Sequence, residues 1–295
     1  MIVCVGLTTI DHTQRVDAFP EPNKKIVAKG STIDVGGPAA NAARTARALG
    51  SQVVLVTALG NSALSKLVRE FLAGIEIVDV APASFQPPIS TVMVADNGDR
   101  CVISTNNTNL GDVRVPDAEV LSGANVVLHD GHLLPVSVPL SQVPEPTHLL
   151  DGGSWKPGLE KLLPQLDVAV ISADFKTPGS TPKNALDELS EYKIHSLARS
   201  DGPGKVEIRE LSWDEELTPS YETNWLPVEQ VRAVDTNGAG DVLHGALAHY
   251  LAEGKKFQDA LEAATKVATA CVQHHGLWAG RPITTESFPP RRSGG

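Results

Sequence analysis

Short apolar runs alternate with helical stretches along this sequence, and that alternation constrains the fold more than any other feature. The strand candidates are Ile2–Val5, residues 52–60, Asn125–Leu128, His148–Leu150, Val168–Ser172 and Ile194–Ala198. The helical candidates include the alanine-rich stretch after Gly37, Leu159–Leu163, Pro182–Leu189, Ala239–Glu253 and Phe257–His274. Continuous apolar runs are typical of strands that are buried on both faces of a parallel sheet. The pattern therefore predicts an α/β fold with a doubly wound, mostly parallel sheet flanked by helices.

Two segments, residues 12–35 and 90–103, show a different pattern. Apolar and polar residues nearly alternate in them, as in strands with one face in solvent. The run Asp96, Asn97, Gly98, Asp99 in the second segment predicts a hairpin turn. Together the two segments predict a small β-sheet that covers a site, which we call the lid.

The size and charge of the chain limit its organisation and its partners. It has 295 residues, of which 41% are hydrophobic, enough for the core of one domain, predicted over residues 1–288 with a flexible tail at 289–295. The net charge is −10, which is the opposite of the basic surface that nucleic-acid binding requires. We therefore expect no nucleic-acid partner.

The cysteines and the N-terminus bear on the compartment. Cys4, Cys101 and Cys271 are odd in number and lie far apart, so they predict neither a disulfide framework nor a zinc site. The apolar run at the N-terminus lacks a basic flank, and Asp11 ends it too early to span a membrane. We expect a cytoplasmic protein with no membrane partner.

The segment DTNGAGDVLHGA, residues 235–246, carries the clearest chemical signal. Gly238, Ala239 and Gly240 let the backbone approach a ligand closely, and the helix that follows points free N–H groups at an anion. Asp241 lies in the first turn of that helix, beside the same anion. Phosphoryl transfer needs donors around the transferred group and a base for the attacking hydroxyl. The alternative is an ordinary turn in which Asp235 or Thr236 caps the helix.

This segment resembles the second signature of the ribokinase family, also called the PfkB carbohydrate kinases. GGPAAN, residues 36–41, is similar to the first signature. The resemblance spans nearly the whole chain and is nearest the ketohexokinase, or fructokinase-like, branch. It implies a β-sheet lid and ATP with Mg²⁺ as phosphoryl donor, and in some members a monovalent cation such as K⁺. By resemblance, Asp241 is the general base and Gly238, Ala239 and Gly240 form the anion hole.

The resemblance also assigns residues to the substrate. It implies that Asp11, Gly37 and Asn41 hydrogen-bond hydroxyls of a sugar, and that Arg100 lies close to the same sugar. Each has a simpler alternative. Asp11 could form a turn, Asn41 could start a helix, and Arg100 could be a solvated hairpin charge.

The metal and nucleotide residues follow the family less closely. An NxxE motif of many members is absent, and VISADF stands in its place, so that Asp174 is expected to hold Mg²⁺ through water. The residues expected at the nucleotide are Arg199, Asp201 and Gly202 in one turn, and Val267, Cys271 and His274 in the last helix. The alternatives are turn chemistry for the first group and core packing for Val267 and Cys271.

The leading interpretation is a sugar kinase that transfers the γ-phosphoryl group of MgATP, with a ketohexose-like substrate favoured by residues 172–175 and Arg100. A nucleoside kinase is the nearest alternative, although aromatic residues make up only 4% of the chain. A catalytically silent sugar-binding protein is the third. A dinucleotide-dependent oxidoreductase is disfavoured because no GxGxxG follows the first strand.

The lid also bears on the oligomeric state. Val16, Phe19 and Ile26 would be exposed on the lid, which predicts a homodimer through the lids.

Overall fold

The computed structural model describes residues 1–107, 110–179, 181 and 184–274. Elements are numbered in chain order. The strands are β1 (Ile2–Gly6), β2 (Thr9–Val16), β3 (Gly30–Gly36), β4 (Val53–Thr57), β5 (Glu76–Asp79), β6 (Ile89–Ala95), β7 (Arg100–Ser104), β8 (Val126–His129), β9 (Thr147–Gly152), β10 (Val168–Ser172), β11 (Ser196–Ser200), β12 (Val206–Trp213) and β13 (Pro219–Leu226). The helices are α1 (Pro38–Ala48), α2 (Ala63–Phe71), α3 (Leu134–Leu140), α4 (Ala185–Ser190), α5 (Ala239–Ala252) and α6 (Phe257–Cys271).

Nine strands form the central sheet, in the order β13-β12-β11-β10-β9-β8-β1-β4-β5. Within this sheet, the neighbouring strands β5, β4, β1, β8, β9, β10 and β11 pair in parallel, whereas β12 and β13 pair antiparallel at one edge. β1, the first strand of the chain, lies in the interior of the sheet. The chain adds β4 and β5 on one side of β1 and then β8 to β13 on the other side, so the strand order reverses at β1. Ligands of open α/β sheets bind at the carboxyl ends of the strands near such a switch point.

Helices cover both faces of this sheet, because alternate residues of each buried strand point to opposite sides. Ile2 and Cys4 of β1 pack in one core with residues of α1, α5 and α6. Val3 and Val5 point the other way, into a second core that includes residues of α3. A third core joins β10 and β11 to α4. The predicted doubly wound sheet flanked by helices is confirmed.

The lid is a separate four-stranded sheet with the order β3-β2-β6-β7. β2 and β6 pair in parallel, and each also pairs with an antiparallel neighbour. The predicted lid is confirmed, although its first strand begins at Thr9. Asp11 therefore lies inside a lid strand, not in a loop after β1, because only Leu7 and Thr8 separate the two strands.

Several details differ from the sequence-based expectations. The expected helix Leu159–Leu163 is wrong: the structure has two short 3₁₀ turns, Leu159–Lys161 and Leu163–Gln165, because Gly158 and Pro164 leave no room for an α-helix. Val16 is buried at 2% exposure, since it closes the end of β2 beside Ala95. Phe19 and Ile26 are exposed, as expected, but in the connection between β2 and β3.

Three expectations fall partly or wholly outside the described residues. α4 covers Ala185–Ser190 of the expected helix that begins at Pro182, and Pro182 itself is not described. The expected tail at 289–295 lies outside the described range, as does the end of the predicted domain. In the described part of the chain, no helix is long and apolar enough to cross a membrane. Among the described residues, no disulfide joins Cys4, Cys101 or Cys271.

The hairpin of β12 and β13 was not predicted from the sequence. Its strands pair from Val206 opposite Leu226 to Trp213 opposite Pro219. Most residues of the two strands are polar or charged. Pro219 is the first residue of the edge strand β13, a position where proline is tolerated because no strand hydrogen bond requires its N–H group. The alternation in Val206–Trp213 was the signal that could have identified this strand.

Candidate active site

A cavity of about 230 Å³ lies between the lid and the carboxyl ends of the central strands. It is lined by Leu7, Thr9, Asp11, Gly37, Pro38, Asn41, Ser90, Val92, Val102, Ser104, Asn106, His132, Asn237, Gly238 and Asp241. Five of the residues expected at a substrate or catalytic centre are among them: Asp11, Gly37, Asn41, Gly238 and Asp241. The other two residues of the predicted anion hole, Ala239 and Gly240, directly follow Gly238 in sequence. The structure therefore brings the two signature-like sequence segments, about 200 residues apart, to one cavity.

Asp241 lies in the first turn of α5, and the turn before it is built as the sequence suggests. Gly238 caps the helix in the left-handed conformation, with φ of 73°, which glycine adopts without strain. Asp235 accepts a hydrogen bond from the amide of Asn237 at 2.9 Å, so the turn also has an ordinary side-chain brace. The helix begins at Ala239, and its N-terminus faces the cavity through Gly238 and Asp241.

The Asp241 carboxylate is held by a residue from the other segment. Asn41 Nδ2 donates to Asp241 Oδ2 at 2.7 Å. Burial, and after it the nearby Asp151 carboxylate, raise the pKa of Asp241 to about 7, against the hydrogen bond from Asn41, which lowers it. A carboxyl with a pKa near neutrality can accept a proton at physiological pH and release it again.

Asp11 faces the cavity from the middle of the lid. Thr9 Oγ1 donates to Asp11 Oδ1 at 2.7 Å, and burial raises the pKa of the carboxyl. A Cβ atom at Gly36 would lie 2.0 Å from Asp11 Oδ2, so only glycine there leaves room for the carboxylate. Asp11 is thus a half-buried acceptor placed for the hydroxyl groups of a ligand.

Gly37 forms the floor of the cavity where α1 begins. Its φ is 95°, and a Cβ there would lie 2.4 Å from the carbonyl oxygen of Leu7. Both facts require glycine, and the backbone of this turn therefore reaches the ligand without a side chain in the way.

Arg100 begins β7 at the edge of the lid and is exposed. Its Nη1 lies 3.4 Å from Asn237 Oδ1, a long hydrogen bond that joins the lid to the catalytic turn. Arg100 is therefore near the site entrance, although it does not line the cavity in this structure.

The residues expected at the nucleotide lie at the same end of the sheet. Arg199 is near the end of β11, and Asp201 and Gly202 are exposed in the turn that leads to β12. The amides of Val234 and Asp235 both donate to the carbonyl oxygen of Val272, which brings the end of α6, near Cys271 and His274, to the catalytic turn. Val267 differs from these residues because it is only 2% exposed and packs in the hydrophobic core.

Asp174, the expected metal residue, is exposed in the turn after β10. Across the part of the chain that the structure describes, no group of three or more His, Cys, Asp or Glu side chains is placed to hold a metal ion. Kinases commonly hold Mg²⁺ through one or two carboxylates together with substrate phosphates and water, and the single exposed carboxylate of Asp174 is compatible with that mode of binding.

Sequence reasoning missed several polar residues at the strand ends. Asp130, which follows β8, accepts hydrogen bonds from the amides of Leu7 at 2.7 Å, Ala39 at 3.2 Å and His132 at 2.8 Å. It ties β1, α1 and β8 together beneath the cavity. The signal that could have found it is the run of polar residues directly after a buried strand.

A fold of this type, with a carboxylate beside a helix N-terminus in a cavity under a β-sheet lid, is characteristic of a phosphotransferase that acts on an alcohol group. The model of the pfkB family of carbohydrate kinases matches residues 1–147 and 217–284. The chain therefore belongs to this family, and it is an ATP-dependent carbohydrate kinase.

Individual relatives agree with this assignment. The chain is 24% identical over 300 residues to a ribokinase of Haemophilus influenzae, with 97% of each protein covered. The fold matches the crystal structure of a Thermotoga maritima ribokinase with a TM-score of 0.78 and 23% identity, covering 98% of this chain and 96% of that one. It also matches an Arabidopsis thaliana ribokinase solved with ribose and ATP, with a TM-score of 0.71, 22% identity and coverage of 99% and 96%.

Proposed function

We propose that this protein transfers the γ-phosphoryl group of MgATP to a hydroxyl of a free monosaccharide, with Asp241 as general base. The observation that carries the proposal is the placement of Asp241. It lies at the N-terminus of α5, is oriented by Asn41 at 2.7 Å, and lines the same cavity as the half-buried acceptor Asp11.

In the proposed reaction, the sugar lies in the cavity with its hydroxyl directed at Asp241. Asp11 and the backbone at Gly37 hold other hydroxyls of the sugar, and this fixes the attacking oxygen beside the carboxylate. Asp241 takes the hydroxyl proton as the new P–O bond forms and the bond to the ADP oxygen breaks. Positioning and charge stabilisation supply most of the rate enhancement in phosphoryl transfer.

The start of α5 would stabilise the charge that spreads over the transferred group. Gly238, Ala239 and Gly240 present backbone N–H groups and the positive end of the helix dipole. The Ala239 amide donates to Thr236 O at 3.3 Å, a long hydrogen bond that a phosphate oxygen can replace. Magnesium, when bound with ATP, supplies further positive charge at the phosphates, and Asp174 would hold it through water.

The nucleotide would lie across the ends of β11 and α6. Arg199, Asp201 and Gly202 would contact it from the turn after β11, and Cys271 and His274 from the end of α6, where a monovalent cation such as K⁺ is also proposed. Val267 would support this surface from the hydrophobic core and would not contact the nucleotide, because its side chain is buried.

The lining of the cavity favours a small polar ligand over a nucleoside. Its volume of about 230 Å³ is below the range of about 300–1,000 Å³ that is usual for drug-sized ligands. Among the described residues, none with an aromatic ring other than His132 lines it. A nucleoside needs a platform for its base, and the apolar residues of the lining, Leu7, Pro38, Val92 and Val102, offer no aromatic face for stacking. A pentose or a ketohexose fits this description, and the ketohexose remains a proposal.

A substrate panel tests the proposal. ADP release should be measured with MgATP and ribose, deoxyribose, ketohexoses, aldohexoses, sugar acids and nucleosides. We expect turnover with at least one free sugar and none with nucleosides. Turnover with nucleosides alone would favour a nucleoside kinase. Sugar binding in calorimetry without any turnover would favour a catalytically silent binding protein.

The pH dependence of the rate gives a second test. A base acts only when deprotonated, and the pKa of Asp241 is raised to about 7. We therefore expect kcat/KM to fall about tenfold per pH unit below that value and to level off above it. Steady-state rates between pH 5 and 9 measure this. A rate that is flat down to pH 5 would contradict Asp241 as the base.

We also propose a homodimer through the outer face of the lid. Asp11 pairs with Asp34 and Ser90 in a row that faces the cavity. The next row across the sheet therefore points outward, and it carries Ile33 and Ile103, which are 53% and 62% exposed. Covering them with a second copy would remove this apolar surface from water.

Light scattering after gel filtration tests the dimer, with an Ile33→Glu/Ile103→Glu variant beside the unaltered protein. We expect a dimer that becomes a monomer in the variant. A monomer in both at micromolar concentration would contradict the proposed interface. The cytosol is the compartment we propose, because three cysteines with no disulfide among the described residues suit a reducing environment.

A further inference from the structure

A buried histidine lies directly beneath the catalytic turn. His244 follows Asp241 by three residues on α5 and is 4% exposed. Its Nδ1 is 2.7 Å from the carbonyl oxygen of Gly240, and its Nε2 is 3.0 Å from the carbonyl oxygen of Val170 on β10. Carbonyl oxygens only accept hydrogen bonds, so the ring satisfies both contacts at once only in its doubly protonated, positively charged form.

A carboxylate of the central sheet faces this ring. Asp151, in β9, places Oδ1 at 3.4 Å from His244 Nδ1 and is 6% exposed. Its Oδ2 has no hydrogen-bond partner among the described residues. A buried positive charge needs a counter-charge nearby, because desolvation of an isolated ion is costly. Asp151 meets that need for His244.

The polar and charged groups that act on Asp241 come from four parts of the fold. Asp151 from β9 and Asp130 after β8 raise the pKa of Asp241, after the larger effect of burial, whereas Asn41 from α1 and His244 from α5 lower it. Asp151 in turn faces His132 and Lys156, which lower its pKa against the effect of burial. His244 and Asp151 therefore act on Asp241 in opposite directions.

We propose that His244 is a positioning residue of the catalytic turn, and that its charge, balanced against Asp151, controls the charge of the Asp241 side chain. The inference rests on the proposed role of Asp241 and adds the two groups that adjust it. Through Gly240 and Val170, His244 also fixes the start of α5 to the end of β10. An apolar residue of similar volume would fill the space, but it would provide neither the two hydrogen bonds nor the charge.

Two substitutions should have opposite effects. His244→Asn removes a positive charge, so Asp241 should take up its proton at higher pH. Asp151→Asn removes a negative charge and leaves the hydrogen bonds of His244 to Gly240 and Val170 in place. Asp241 should therefore take up its proton at lower pH. We expect each midpoint to move by at least about half a pH unit.

The direct measurement is a carbon-13 NMR titration of the aspartate carboxyls in each full-length variant, with Asp241→Asn used to assign the signal. His249→Asn is the matched control. His249 is also on α5 and is 7% exposed, but it pairs with Ser51 at 2.8 Å, away from Asp241. Its substitution should leave the midpoint of Asp241 unchanged.

The kinetic readout distinguishes adjustment from simple support of the fold. The acid limb of kcat/KM against pH should move upward in His244→Asn and downward in Asp151→Asn. A midpoint in either variant that coincides with that of His249→Asn would overturn the proposal. If no substrate gives turnover, the kinase proposal fails, and the NMR titration still decides whether His244 and Asp151 control Asp241.

Discussion

Asp241→Asn should lower kcat by at least about a hundredfold, the loss expected when a general base is removed. Asparagine has the same shape, and its amide oxygen can still accept the hydrogen bond from Asn41 Nδ2, which is 2.7 Å long in the unaltered protein. It cannot accept a proton from a hydroxyl. Sugar affinity should therefore change little, whereas the chemical step slows. Steady-state kinetics with the best sugar of the panel, together with calorimetry for binding, measure the two effects separately.

Asp259→Asn is the matched control for this prediction. Asp259 also lies in the first turn of a helix, α6, but it is exposed and does not line the cavity. The control should keep the rate of the unaltered protein. A rate for Asp241→Asn within a few-fold of that of Asp259→Asn would mean that another group takes the proton.

Asp11→Ala should raise the KM for the sugar by about 10- to 100-fold, which is the effect of losing a hydrogen bond to a charged acceptor. The carboxylate is placed in the cavity by β2 and is braced by Thr9 at 2.7 Å. The KM for ATP should stay the same, because Asp11 is on the lid and not at the catalytic turn. Kinetics with each substrate varied in turn measure both constants.

Asp17→Ala serves as the control for the lid. Asp17 follows β2, is exposed, and forms an ion pair with Lys29 outside the cavity. An exposed pair of this kind contributes little. Equal effects of the two substitutions on the KM for the sugar would show that Asp11 acts through the lid fold and not through the ligand.

The sequence predicted the elements that depend on local pattern. Uniformly apolar runs identified the parallel strands, and alternating runs identified the lid, because the two patterns report burial on both faces or on one. The residues around Asp241 were identified by the resemblance of the whole twelve-residue segment to a family signature, because a glycine turn before a helix also fits ordinary capping. The spacing of Asp11 and Asn41 from Asp241 is long, and only the resemblance to a family placed them in one site.

The parts that sequence reasoning missed depend on contacts between distant segments. Asp151 and His244 meet because β9 and α5 pack together, and no spacing rule connects residues 93 positions apart. Aspartate and histidine are common residues, and it is their burial and mutual contact that distinguish these two. Val16 was misplaced for a similar reason: strand alternation assigns a face, but the end of the lid that covers Val16 comes from β6.

The most direct test of the central claim is to follow the γ-phosphoryl group itself. MgATP labelled at the γ-phosphate should be incubated with the protein and the best sugar of the panel, and the products separated and identified by mass spectrometry. The account predicts that the label appears in a sugar phosphate, and that Asp241→Asn abolishes this product. Label that appears only in inorganic phosphate, or that remains in ATP with every sugar, would contradict it.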